Sequence, residues 1–217
     1  MENDQPALTP SLQSIPDQPE KATNRGHDTL KSVLSTVAVL IIAPLIALTL
    51  TTYVFQSYQV DGPSMESTLQ NRDRLIVLKV PRTWARLTGH AYVPHRGDVI
   101  VFSKSEVYDA SGLQNRQLIK RIIGLPGDHV VIKDNVVTVY SHDHPDGFQP
   151  DRTLPYGRVI TTTLGNIDTI VAEGHVFVCG DNRPNSLDSR SFGAVPANDI
   201  VGKLVFRIFP INKADTF

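Results

Sequence analysis

An all-β domain behind a single transmembrane helix is the fold class this sequence predicts. Three observations carry that prediction. Residues 32–60 contain no charged side chain at all. Beyond residue 58 the chain breaks into short runs rich in Val, Ile and Phe, with Gly, Pro, Asp and Asn between them, which is the pattern of strands and turns. Only residues 83–88 (TWARLT) and the tail suggest helix in that outer part, so the strand–helix alternation of a parallel α/β sheet is missing.

Residues 1–28 come first, and Pro, Gln, Asp and Thr dominate them without any apolar period. Such a segment buries too little apolar area to offset its ordering entropy, so a disordered tail is expected there. Residues 29–56 are expected to form the transmembrane anchor. Within them residues 33–55 are apolar enough to cross a hydrocarbon core of about 30 Å, and backbone in lipid must bond internally, hence a helix. Pro44 falls mid-span as a possible kink. A cleaved signal peptide has a shorter apolar core and a small-x-small exit; Thr51, Thr52, Tyr53 and Val54 supply no such exit. Lys21, Arg25 and Lys31 precede the span, whereas the first basic residue after it is Arg72. The positive-inside rule therefore expects a single-pass protein with its amino terminus in the cytoplasm and residues 57–217 outside.

The expected strands of that outer domain are residues 74–79, 98–103, 118–123, 130–132 with 136–140, 175–179 and 201–209. Asp134-Asn135 lies between two apolar runs and predicts a tight hairpin, since both residues tolerate positive φ. Residues 141–172 mix Pro, Gly, Asp and Thr and read as an irregular insertion, part of a small cap spanning about 129–172.

The charge balance adds an exclusion. With 21 basic and 22 acidic residues the formal net charge is -1, so the basic footprint of a nucleic-acid binder is absent and no nucleic-acid partner is expected. Cys179 is the one cysteine, so no internal disulfide can form.

Three stretches hold residues with chemical potential. Gly62-Pro63-Ser64 presents a serine on a turn; it is either a plain turn residue or an exposed nucleophile. It is not the G-x-S-x-G elbow, because position 66 is Glu. Leu118-Ile119-Lys120-Arg121-Ile122-Ile123 puts a cation on each face of an otherwise apolar strand. If the lysine is buried, desolvation lowers its pKa below the usual value of about 10.4 and makes it a base; if it lies at an edge, it snorkels to water. The arginine stays charged and must find water or a carboxylate. Residues 180–190 form a dense polar loop after an apolar strand. Alone it reads as a solvated loop held by Asx turns and an Asp–Arg pair.

Together these stretches carry a resemblance. Ser64-Met65-Glu66-Ser67-Thr68-Leu69 resembles the S-M-x-P-T-L box of type I signal peptidases. Residues 96–102 (RGDVIVF) resemble their R-G-D-[IV]-V-V-F box, residues 120–128 (KRIIGLPGD) their K-R-[VI]-[IV]-G-x-P-G-D box, and residues 180–190 their G-D-N-x-x-x-S-x-D-S-R box. The boxes stand in the family's order behind an amino-terminal anchor. The fold this implies is an all-β, signal-peptidase-like, partly open barrel with a small cap.

By that resemblance Ser64 is the expected nucleophile and Lys120 the general base, in a serine endopeptidase of the secretory pathway. Ser186 is expected to orient the lysine, while Asp188 and Arg190 form a supporting ion pair. A lysine at position 120 points to the bacterial or organellar branch. The implied partners are secretory preproteins with small residues at positions −1 and −3, bound as an extended strand, and the lipid bilayer itself. Tyr58, Val60, Gly62, Met65, Leu69, Leu118 and Ile119 match substrate-binding positions. No cofactor and no metal are implied. Two departures stand out: the box proline is Ser67, and the position where some members place an oxyanion-donating serine is Gly62. A related maturation protease with a narrow substrate set shares this reading, and a non-cleaving peptide-binding domain on the membrane is the remaining alternative.

Other residues carry less. His142-Asp143-His144 has ligand types but no second cluster. His90, His95, His129 and His175 read as surface or turn residues, and Arg96-Gly97-Asp98 as a turn opening a strand. Cys179 reads as a small buried residue, and Trp84 with Arg82 and Arg86 either touches headgroups or packs.

Overall fold

The computed structural model describes residues 25–80, 83, 88–89, 92, 94–109, 112–156 and 162–217. Most of the tail expected to be disordered, His90, and the segment around Arg82, Trp84 and Arg86 lie outside these residues. Residues 25–28 depart from that expectation, because helix α1 starts at Arg25 and runs as Arg25–Thr49.

The described chain divides into two compact units, one ending at Leu45 and the other beginning at Ile46. Between residues 31 and 50 every side chain but Ala38 is exposed. In lipid those same side chains meet hydrocarbon, and Lys31–Val54 is long and apolar enough to cross it. Two hydroxyls of the span are satisfied within the helix: Thr36 Oγ1 donates to Ser32 O and Thr51 Oγ1 to Ala47 O, each at 2.9 Å, the i−4 back-bond that removes a polar group from an apolar solvent.

A π-helical turn, Leu50–Val54, leads straight into β1 (Phe55–Gln59). The long apolar helix thus gives way to strand at Phe55, and the chain beyond it is β-rich as the residue pattern predicted. The strands are β2 (Arg74–Leu78), β3 (Val99–Asp109), β4 (Gly112–Gly124), β5 (His129–Lys133), β6 (Val136–Ser141), β7 (His144–Phe148), β8 (Ile167–Ile170), β9 (His175–Cys179), β10 (Val195–Pro196), β11 (Ile200–Phe209) and β12 (Asp215–Thr216). Eight of them form one sheet in the order β1-β2-β11-β3-β4-β9-β10, with β12 on β11. The strand before Ser64, β1, and the strand of Lys120, β4, are therefore far apart in the pairing order.

Residues 141–172, read from the sequence as an irregular insertion or small cap, hold two strands: β7 and β8 flank β6 and β5 in a four-stranded sheet ordered β7-β6-β5-β8. The expected hairpin closes it, with Asp134 at φ 51° and Asn135 at φ 64°, the left-handed pair a two-residue turn requires. Val130 faces Val139 and Ile132 faces Val137 across that hairpin. All four are buried with Ile123, Val171, Phe177 and Cys179, so the inward positions repeat every second residue as a pleated strand demands. Ile100, Phe102, Ile122, Val176, Val178 and Ile200 make a second cluster. A third, of Val60, Met65, Leu69, Leu75, Val99 and Leu204, lies under the Ser64 loop.

Candidate active site

Of the three cations of β4, Arg116 is exposed and the other two are buried. Lys120 is 3% exposed and Arg121 is 6% exposed, and each meets a different solution to that burial. Lys120 Nζ lies 2.7 Å from Ser64 Oγ and 2.8 Å from the carbonyl of Ile119. Its pKa is lowered to about 8, because burial penalises the ammonium more than Asp188, Asp181 and Cys179 favour it. A substantial neutral fraction therefore exists near neutral to mildly alkaline pH, and a neutral amine at hydrogen-bond distance can accept a hydroxyl proton.

Arg121 finds the carboxylate it needs. Its Nε and Nη2 clamp Asp181 at 2.9 and 2.6 Å, and Nη1 donates to Gly97 O at 2.7 Å. Its guanidinium also sits 4.5 Å from the centre of the Tyr156 ring. Thr68 Oγ1 donates to the same carboxylate at 2.5 Å. One buried Asp thus joins the lysine strand to the loop that carries Ser64.

Further bonds hold the serine's backbone. Asn182 N donates to Ser64 O and Asn182 Nδ2 to Pro63 O, both at 3.1 Å. Gly180 passes so close that a Cβ there would collide with the Ser64 carbonyl oxygen and with Ser186 Oγ. Glycine is the residue that permits this approach.

The 180–190 loop exposes Pro184, Asn185 and Leu187, but its charged residues Asp181, Arg183 and Asp188 are buried. Asp188 is fully buried. It accepts from Gly180 N at 3.0 Å and from Arg190 Nε and Nη2, both at 2.8 Å. Arg183 is fully buried too, and it pairs with Asp151 from the short helix Pro150–Thr153 at 2.5 and 2.7 Å. The residue pattern singled out neither Arg183, Asp151, Asn182 nor Thr68; only the rule that a buried cation must be paired would have pointed to a partner for Arg183.

Ser186 departs from expectation. Its Oγ is buried and has no hydrogen-bond partner among the described residues, so the bond to Lys120 is not made here. The lysine's reach is taken up by Ser64 Oγ and Ile119 O instead.

A cavity of about 120 Å³ opens beside the serine, lined by Tyr58, Val60, Ser64, Leu118, Ile119 and Lys120 among others, with the buried Leu75 and Val101 also in its wall. Four of the residues expected to bind substrate, Tyr58, Val60, Leu118 and Ile119, come together here. Met65 and Leu69 do not: both are 0% exposed and pack beneath the loop. Gly62 stands apart from the lining, in the loop at φ +96°, with its N–H 3.3 Å from Asn71 Oδ1.

Two open strand edges border the cavity. Among the described residues β1 pairs with β2 on one side only. β4 pairs with β9 at Arg121, Ile122 and Gly124, so residues 117–119 pair, among the described residues, with β3 alone. An extended peptide could bond to both edges at once.

Cys179 does not compete as a nucleophile, since full burial pushes its thiol pKa far up. No group of three or more His, Cys, Asp or Glu with metal-binding geometry occurs among the described residues.

Comparison with known proteins bears on the same stretch. Residues 33–209 match the family described as signal peptidase, peptidase S26. The signal peptidase I of Bacillus licheniformis is 31% identical over 196 residues, which covers 89% of this chain and 96% of that protein. A probable signal peptidase I-1 of a Synechocystis species is 35% identical over 179 residues, covering 82% of this chain and 83% of the relative. Signal peptidase I of Bacillus caldolyticus reaches 36% over 182 residues, 82% of this chain and 89% of its own.

Proposed function

The chain belongs to the peptidase S26 family of signal peptidases, and from that premise we propose how its own residues carry out the family's reaction. The enzyme is a serine endopeptidase that removes signal peptides from preproteins. Ser64 is the nucleophile and Lys120 its base. The observation that carries this assignment is the 2.7 Å contact between Lys120 Nζ and Ser64 Oγ, made by an amine whose pKa burial brings down to about 8.

Neutral Lys120 takes the Ser64 proton as Oγ attacks the scissile carbonyl. The resulting ammonium returns that proton to the departing amine, which becomes the mature amino terminus. Neutral again, the lysine activates a water that splits the acyl-enzyme, and Ser64 regains its proton. With glycine at position 62 no hydroxyl reaches the oxyanion from there. The Ser64 amide, which finds no acceptor among the described residues, is the donor we assign to it.

The substrate lies as an added strand between Tyr58–Val60 and Gln117–Ile119. A cavity of about 120 Å³ is small beside the ~300–1,000 Å³ of ordinary ligand pockets, so it favours small side chains such as alanine at −1 and −3. The amino-terminal helix spans the membrane with Lys21, Arg25 and Lys31 on the cytoplasmic side. That topology puts the catalytic domain on the outer face, where the cleavage bond of an exported chain emerges. Cleavage of an Ala-x-Ala preprotein, lost in Ser64→Ala and Lys120→Ala, tests the assignment.

A further inference from the structure

Near its end β11 inverts the usual order of burial. Phe206 and Ile208 are 45% and 46% exposed, whereas the side chain of Arg207 between them is 12% exposed. Burial ordinarily favours the opposite arrangement. The register of β11 on β2 shifts between Leu204 and Phe206 and again between Arg207 and Phe209, and irregularities of this kind re-aim a side chain. Here the guanidinium is aimed at the loop that carries Ser64. Its Nη1 donates to Thr68 O at 2.8 Å and lies 3.5 Å from Asp73 Oδ2, while its Nε donates to Lys213 O at 2.6 Å. Asp215 Oδ2 stands 3.7 Å from Nη2, and the Phe217 ring centre 5.7 Å from Cζ.

Residues 60–73 form a closed loop. The Val60 N–H donates to Asp73 O and the Arg72 N–H to Val60 O, both at 2.9 Å, so the two ends meet, as in compact surface loops packed by their own side chains. Inside it the Leu69 N–H donates to Met65 O at 2.8 Å, and Asp73 Oδ2 accepts from the Gln70 N–H at 2.9 Å. Phe217 packs against the cluster that includes Met65 and Leu69, and Lys213 Nζ donates to Gln70 Oε1 at 2.8 Å. Thr68 is thus held through two groups at once: its hydroxyl by Asp181 and its carbonyl by Arg207. We propose that Arg207 is a positioning residue for Ser64, fixing Thr68 together with Asp181 so that the serine hydroxyl stays within reach of Lys120. This rests on the peptidase reading above and extends it. Ser64 and Lys120 sit on different elements, the loop after β1 and strand β4, so their 2.7 Å contact depends on how firmly that loop is held. A displacement of about 1 Å in such a pair costs on the order of a hundredfold in rate. Arginine suits the task because its planar fork spans several acceptors in fixed directions, whereas lysine is a point charge on a flexible stem.

The test is a double-variant cycle on the full chain in detergent, with an Ala-x-Ala peptide as substrate and rates expressed per folded molecule. Arg207→Met should lower kcat by about tenfold or more and leave KM within about twofold, because the substrate cleft is untouched. Arg207→Lys should recover part of that loss. The rise of the rate with pH should stay near pH 8 in both, since Lys120 remains buried. Thr68→Val removes the other hold on the same residue, so Arg207→Met/Thr68→Val should lose little more than the worse single variant. A kcat per folded molecule within about twofold of wild type in Arg207→Met overturns the proposal. Losses that simply multiply in the double variant overturn it as well, and so does a rise in KM that accounts for the whole effect. If Arg207→Met does not fold, Arg207→Lys takes its place in the same cycle, with a smaller loss of kcat read in the same way. Failure of the wild type to cut the peptide would instead contradict the peptidase reading itself, and this proposal with it.

Discussion

Asn182 donates its backbone N–H to the carbonyl of Ser64 at 3.1 Å, joining the loop after β9 to the turn that presents the hydroxyl. The same pair of loops is joined a second time through Asp181, which holds both Thr68 and Arg121. The nucleophile's backbone is thus fixed by residues that take no part in bond making.

Asp181→Asn is expected to be severely damaging. It leaves the Arg121 guanidinium, 6% exposed, without its counter-charge, a loss of about 3–5 kcal/mol. Chemical denaturation measures it. A loss under about 1 kcal/mol would show that the pair is replaceable by water or by the Gly97 carbonyl.

Lys120→Met should make the protein more stable and inactive. The lysine pKa is about 8 in the fold against 10.5 for the free side chain. Between those values the unfolded chain binds more protons than the folded one, so stability rises with pH across that window. Below about pH 8 the full cost of the buried ammonium is present, near 3 kcal/mol by the pKa difference. Urea titrations at neutral pH and near pH 10 should show the methionine variant gaining about 2–3 kcal/mol at the lower pH and losing the pH dependence. A destabilised variant would mean that the hydrogen bonds of Nζ outweigh its desolvation.

Ser186→Ala separates two roles for that hydroxyl. Because Oγ is buried without a partner, its removal should cost no more than a few tenths of a kcal/mol in stability. If the hydroxyl engages Lys120 during the reaction, kcat falls by about tenfold or more while KM holds. Unchanged kcat would remove Ser186 from the mechanism.

Val101→Ala removes two methyl groups from the wall of the cavity. The preference for alanine over valine in the substrate should narrow by about tenfold, the worth of a methylene or two in an apolar pocket. Competition between Ala-x-Ala and Val-x-Ala or Ala-x-Val peptides reads it, and also tells which position the cavity serves. No change in either peptide pair would place both side chains elsewhere.

Much of this architecture is written in local pattern. The uncharged run ending at Val60, the apolar alternation of residues 130–139 and the Asp134-Asn135 turn each need only neighbours in sequence. Lys120 and Arg121 announced themselves as cations in an apolar strand. β7 did not, because His144-Pro145-Asp146-Gly147-Phe148 has no β-branched residue; it is a strand through its pairing with β6, where Val139 faces Phe148. Arg183 and Asp151 lie 32 positions apart, and nothing local announces their bond. Met65 and Leu69 look like pocket residues in a motif and turn out to be core, since one-dimensional spacing does not say which side of a loop faces the cleft.

The measurement that bears most directly on the Ser64–Lys120 assignment is cleavage of an Ala-x-Ala preprotein by wild type, Ser64→Ala and Lys120→Ala, followed from about pH 6 to 10. The account predicts cutting at the expected bond by the wild type, with kcat/KM rising as Lys120 loses its proton near pH 8, and no cutting by either variant. A wild type that binds the preprotein without cutting it, or a Lys120→Ala enzyme that keeps near-full activity with the same pH profile, would contradict it.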